Sequence, residues 1–218
     1  MRQALIVWGG WPGHQPEQCA TTVAAMLESE GFTVEVEAYG DGSNNVFERT
    51  DLSRLALIVP VITQSTISKD AVTKLTGAVQ GGVGLAGFHG GLCDAFRDSV
   101  AYQFMTGGQW VAHPGNVIDY RVNITQPEDP VMHGLSDFDY RSEQYYMHVD
   151  PANQVLATTT FSGEHASWTK GVTMPVVWKR QHGVGRVFYS ALGHVASEFD
   201  HPQMRAILQR GMVWAARS

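Results

Sequence analysis

Cysteine is scarce in this chain of 218 residues. Only Cys19 and Cys93 carry thiols, and their separation fits no zinc-ligand spacing, which agrees with a reducing, cytoplasmic compartment. Clusters of lysine and arginine are also missing, and the formal net charge is -6. A nucleic-acid or anionic-membrane partner needs a basic footprint, so neither is expected. The longest apolar run, Leu55 to Ile62, is far too short to cross a bilayer. The opening MRQALIVWGG has one basic residue and breaks at Gly9-Gly10 with no cleavage pattern after it, so it reads as a first strand and not as a secretory leader. Internal repeats, low-complexity tracts and linkers are absent as well. What remains is a chain with 44% hydrophobic residues, enough for one sizeable core, and a small-molecule partner is the better expectation.

The first half alternates strand and helix patterns. Ala4 to Trp8 reads as a buried strand. Pro16 then stands at a helix start, with Cys19, Val23, Met26 and Leu27 at helical spacing and Gly31 as the stop. Phe32 to Tyr39 alternates as a second strand, and Leu55 to Val59 is a β-branched third. Ser68 is placed to cap a helix reaching about Gln80, with Ile67 and Val72 as a hydrophobic staple. Strands separated by helices imply right-handed βαβ units and a mostly parallel sheet covered on both faces.

Shorter strands are expected in the second half at Val117 to Ile124, Tyr145 to Val149, Gln154 to Thr160, Pro175 to Trp178 and Arg186 to Ser190, several of them pairing antiparallel. The last element is a helix from Pro202, with Met204, Ile207, Leu208, Met212 and Ala215 along one face. Trp8, Trp178 and Trp214 are assigned to the core.

Chemistry should collect beyond the carboxyl ends of the parallel strands. The stretch Gly87-Phe88-His89-Gly90-Gly91 follows an apolar run and leads into a helical one. That is the strand-to-helix elbow which pushes a nucleophile out at the top of a sheet, here with an imidazole where serine or cysteine usually stands. His14 follows the first strand and His194 leaves the last one, so three loops should carry histidines to one edge. The bland alternatives are a helix-capping imidazole at 89 and ordinary loop residues at 14 and 194. Cys93 falls on the first turn after the elbow, where a helix N-terminus lowers a thiol pKa, or it is a buried small residue. Gly107-Gly108-Gln109-Trp110 and His113-Pro114-Gly115 read as a loop holding an aromatic and an imidazole.

From Arg141 to His148 the residues alternate, aiming Glu143, Tyr145 and Met147 at one face and Gln144, Tyr146 and His148 at the other. In such aromatic surroundings Glu143 is expected to have a raised pKa suited to acid/base work; the alternative is an ion pair with Arg141 or Arg121. Trp11, Trp110 and Tyr146 are candidate platforms for sugar rings. The cofactor is left open. A divalent metal such as zinc is compatible with histidines beside a carboxylate, but the chain has no H-x-x-x-H or H-E-x-x-H, so separate loops would have to assemble the site.

Taken together, GGWPGH, GFHGGLCDAF, GGQWVAHPG, SEQYYMHVD, MPVVWKR and GRVFYSALGH resemble the ThuA-like, or trehalose-utilisation, proteins over nearly the whole chain, 1–218, as a single domain. The resemblance implies a flavodoxin-like α/β fold of the class I glutamine amidotransferase type with an antiparallel extension. It also implies a role in carbohydrate metabolism on trehalose-like disaccharides or their keto derivatives. Glutaminase activity is not expected, because His89 stands in the cysteine position and imidazole cannot form the thioester. The reading is a sugar or keto-sugar enzyme, a hydrolase, lyase or isomerase, with His89, Glu143 and His194 catalytic and Trp11, His14, Trp110, His113 and Tyr146 binding a small-molecule sugar. The rivals are a non-catalytic sugar-binding or regulatory protein and a hydrolase using Cys93. The composition is compatible with a homo-oligomer, with no interface indicated.

Overall fold

The computed structural model describes residues 2–40 and 45–218. A nine-stranded sheet forms its spine. The strands are β1 (Arg2–Gly10), β2 (Phe32–Ala38), β3 (Leu57–Thr63), β4 (Gly84–Phe88), β6 (Val117–Ile124), β7 (Phe138–Glu143), β9 (Gln154–Thr160), β10 (Thr173–His182) and β11 (Gly185–Ser190). They lie in the order β2-β1-β3-β4-β11-β10-β9-β6-β7. The two remaining strands, β5 (Gly108–Ala112) and β8 (Tyr146–Val149), pair antiparallel as a separate ribbon.

The first five strands of that order run parallel. Beyond β11 every pairing is antiparallel. The parallel part has the flavodoxin-like strand order, with its direction of winding reversing between β1 and β3. Ala4 to Val7 in β1 and all of β3 are buried, as expected of strands covered on both faces. The covering helices are α1 (Pro16–Ser29) and α6 (Pro202–Ala215), which touch each other, and α3 (Lys69–Gln80), which touches α2 (Val46–Arg49) and α5 (Val100–Thr106). Right-handed crossovers leaving β1 and β3 in opposite directions put these two groups on opposite faces.

Local chemistry fixes the helix ends. The Ser68 hydroxyl accepts a hydrogen bond from the Ala71 amide, and His201 Nδ1 accepts from the Met204 amide at the start of α6, with Pro202 in its first turn. Met204, Ile207, Leu208, Met212 and Ala215 are all buried, so this helix closes the core along the predicted face.

Several expectations need adjusting. β3 begins at Leu57 and not at Leu55, because Leu52–Arg54 forms a short 3-10 turn capped by Asp51. Gly108–Ala112, expected to lie in a loop, forms a strand, while Gly107 caps the preceding helix. Trp178 is fully buried, while Trp8 and Trp214 are half-buried against the core. Phe138–Glu143 forms a strand that the sequence reading left out. Among the described residues, no helix is long and apolar enough to cross a membrane.

Candidate functional site

The carboxyl ends of β1, β3, β4 and β11 meet at one edge, and the site is built there. His14 follows β1, held by a 2.7 Å hydrogen bond between its Nδ1 and Thr63 Oγ1 at the end of β3. His89 is the residue after β4. It sits at φ 48, ψ -132, a backbone conformation that costs a non-glycine residue about 1–3 kcal/mol and persists only where the surroundings over-determine it.

The surroundings do so. The His89 amide donates to Ser190 O at 2.6 Å, and its carbonyl accepts from the Tyr189 hydroxyl at 2.9 Å. Its Nδ1 lies 2.9 Å from Ala191 O, and its ring stacks on Tyr145 with centroids 4.1 Å apart. The side chain is 1% exposed. The helix after the elbow, α4 (Gly90–Cys93), is a single turn, shorter than the sequence pattern suggests.

Gly90 makes this close assembly feasible. A Cβ there would lie 2.7 Å from Thr63 Oγ1 and 2.9 Å from the His14 ring. Gly90→Ala is therefore expected to displace His14 and lower stability by about 1–3 kcal/mol, the usual cost of overpacking. Chemical denaturation measures this, and an unchanged midpoint would show that the His14–Thr63 pair does not need the glycine.

Glu143 ends β7, the outermost strand of the antiparallel extension, yet it meets loops from the other half of the sheet. Its Oε2 lies 3.1 Å from His89 Nε2 and 3.8 Å from His14 Nε2. Its Oε1 lies 3.7 Å from the Nε2 of both His113 and His194. The two arginines considered as partners are engaged elsewhere, Arg141 with Asp119 and Arg121 with Asp139. His194 is placed by Glu198, whose Oε2 accepts from the His194 amide, the Tyr140 hydroxyl and the Ser142 hydroxyl.

The electrostatics correct one expectation. Burial pushes the Glu143 carboxyl up, but contacts with His14 and His89 and the neighbouring imidazoles outweigh it and hold the group below the usual carboxylate range. Glu143 is thus an ionised carboxylate and not an acid of raised pKa. Burial lowers His89 to about 4, against the opposing pull of Glu143, and burial likewise lowers His194. The Cys93 thiol is pushed well above its ordinary value by burial and Cys19 to about 12, so both are buried thiols and not thiolates at neutral pH.

A cavity of about 220 Å³ opens over Glu143, lined by Trp11, His14, Gln64, Asp94, Arg97, Trp110, His113 and Tyr145. Trp11 stands at its mouth, 45% exposed. Arg97 lies over the Trp110 ring at 4.7 Å and grips Asp94 through two hydrogen bonds of 2.5 and 3.0 Å. His89 and His194 stand behind this wall.

The structure thus brings together Trp11, His14, His89, Trp110, His113, Glu143 and His194 from the sequence candidates. Tyr146 is not among the lining residues; it packs edge-to-face on Phe161, and Tyr145 takes its place. The alternation that pairs Tyr145 with Glu143 also turns Tyr146 away. Asp94, Arg97 and Gln64 were missed, although the Asp94–Arg97 spacing of three within one turn of the elbow is a local signal for their pairing. A larger depression of about 470 Å³ over β6 is lined by Asp119, Arg121, Arg141 and Gln144 among others and includes neither Glu143 nor the four histidines around it.

The sequence profile of the ThuA family, described as trehalose utilisation, matches residues 3–215. The chain belongs to the ThuA family. That membership supports a carbohydrate-related role. A ThuA-like protein of Parabacteroides merdae is similar in structure at a TM-score of 0.76 and 18% identity, over 98% of this chain and 89% of that one. A ThuA-like protein of Bacteroides uniformis is similar at 0.75 and 18% identity, over 98% and 91%. The β-galactosidase of Bacillus circulans sp. alkalophilus contains a similar fold, at 0.61 and 13% identity, over 98% of this chain but 30% of that enzyme. At such identities these likenesses show the fold alone. No curated protein matches the sequence.

Proposed function

We propose that this ThuA-family chain is an enzyme of carbohydrate metabolism acting on a sugar or keto-sugar ring at the Glu143 cavity. The observation that supports it is one ionised carboxylate surrounded by four imidazole Nε2 atoms at 3.1 to 3.8 Å on the floor of a cavity walled by Trp11, Trp110 and Tyr145. The aromatic walls suit the apolar faces of a sugar ring. The cavity is smaller than the ~300 Å³ at the low end for drug-sized ligands, so one ring enters and any second ring projects past Trp11 into solvent.

The roles divide by exposure. Glu143 and His113 face the cavity and exchange protons with the ring, His14 lines the cavity beside them, and His89 lies behind Glu143 and fixes its orientation. His194, its Nε2 3.7 Å from Glu143 Oε1, completes the ring of imidazoles around the carboxylate. A carboxylate paired with imidazoles serves hydrolysis, elimination beside a carbonyl and isomerisation alike, since each needs one proton taken and one returned.

Thermal shift against disaccharides and their keto derivatives, followed by turnover of whichever stabilises the chain, tests the proposal. A sugar that binds without turnover would leave a non-catalytic binding protein on the same fold. For a substrate that is turned over, Trp110→Ala is expected to raise KM by about tenfold, equivalent to ~1.4 kcal/mol of contact, with kcat changed far less. A kcat loss without a KM change would remove Trp110 from the sugar platform.

A further inference from the structure

Imidazole nitrogens converge on one carboxylate at the floor of the site. Ala191 O can only accept, so His89 Nδ1, 2.9 Å away, must be the donor. Nε2 then points at a carboxylate oxygen 3.1 Å away, which it meets either through one shared proton or with a lone pair. His14 is anchored through its Nδ1 on the Thr63 hydroxyl, which can donate or accept, and its Nε2 is turned inward toward the same carboxylate. A single proton can bridge one such pair but not the whole set. His14, His89, Glu143 and His194 each offer one donor atom, and these atoms lie within 4.8 Å of one another.

The geometry points to a divalent transition-metal site, of the kind zinc occupies, formed by His14, His89, Glu143 and His194. Ligands ~2 Å from an ion stand roughly 3–3.5 Å apart around a tetrahedron. The contacts of Glu143 with His89 and His14, at 3.1 and 3.8 Å to Oε2, and with His194, at 3.7 Å to Oε1, lie near that spacing, and the separations of up to 4.8 Å within the set would have to contract around an ion. Three imidazoles and one carboxylate form a nitrogen-rich set that suits zinc and its first-row neighbours over calcium or magnesium. The outer partners are those metal-bound histidines ordinarily have: a backbone carbonyl on His89 and a hydroxyl on His14. Because Glu143 and His14 also line the cavity, an ion held here has a side open to a ligand oxygen. Binding of the ion does not depend on the sugar reading; its use in polarising a sugar carbonyl does.

Full-length protein stripped with a chelator and titrated with zinc chloride by calorimetry tests the inference, with metal content measured on the protein as purified. One ion per chain is expected. His14→Ala and His194→Ala should each weaken binding more than about 100-fold, the upper range seen when merely an outer partner of a ligand is lost. His165→Ala, outside the cluster, should leave binding unchanged. Cobalt(II) added to the unmutated protein should give the intense visible bands of a low-symmetry tetrahedral or five-coordinate site, which answers the case in which a variant does not fold. Absence of binding, or binding equally strong in His14→Ala and His194→Ala, or only the pale spectrum of hydrated cobalt, would overturn the site. A metal bound without sugar turnover would overturn the proposed function and leave the site standing. Full turnover by the stripped protein would show the ion to be dispensable for the reaction.

Discussion

Glu143→Gln is expected to lower turnover by about 10²- to 10⁴-fold, the range for removing a positioned acid or base, while changing stability by less than about 1 kcal/mol. The substitution keeps shape and volume. It exchanges the one carboxylate that four imidazoles converge on for an amide that can donate to or accept from His89 Nε2, so the contact is kept while the charge is lost. Zinc-dependent stabilisation should disappear with the charge. The pairing of results is diagnostic: kinetics collapse, while thermal melts in chelator stay within a few degrees of the parent. A large fall in the chelator melt would mean that Glu143 is a structural ion-pair partner in the first place. Retained kinetics would exclude it from catalysis.

The second large effect concerns the elbow. His89→Gly should be more stable than His89→Ala by about 1–3 kcal/mol, since only glycine adopts positive φ without cost. At roughly 2–4 °C per kcal/mol for a chain of this size, ordinary melting curves resolve the difference. Both variants lose the contacts to Ala191, Glu143 and Tyr145, and both should be inactive. Strain is thus separated from chemistry: the ordering of the melts reads the backbone, and the shared inactivity reads the imidazole. Equal melts would mean that the conformation at φ 48 stores nothing.

Much of this architecture could be read from residues. The apolar runs of β1, β3 and β4 and the face of α6 follow from periodicity, and the rule that ligands gather at strand carboxyl ends brought His14, His89 and His194 to one edge. What was not legible has physical reasons. β5 contains Gly108, and a glycine-led segment carries little strand signal. β7 alternates, but with Asp139 and Arg141 on its outer face it resembles a charged loop. Nothing local joins Glu143 to His89, which stand 54 residues apart, so the ionised state of the carboxylate follows from a tertiary meeting and not from its own aromatic neighbours. The choice of Tyr146 over Tyr145 failed for a smaller reason: the residue facing the site is fixed by the alternation with Glu143.

The origin of the site's parts has one more consequence. The three histidines of the cluster come from loops of the parallel half, and the carboxylate comes from the far strand of the antiparallel half. Neither half holds the full set, and the contact that joins them, between His89 and Glu143, spans 54 residues of chain. Long loop closures of this sort are the slow steps of folding. The cluster therefore acts as a checksum on assembly: a chain whose extension has not docked presents imidazoles without their carboxylate, and chemical competence arrives only when the last strand is in place.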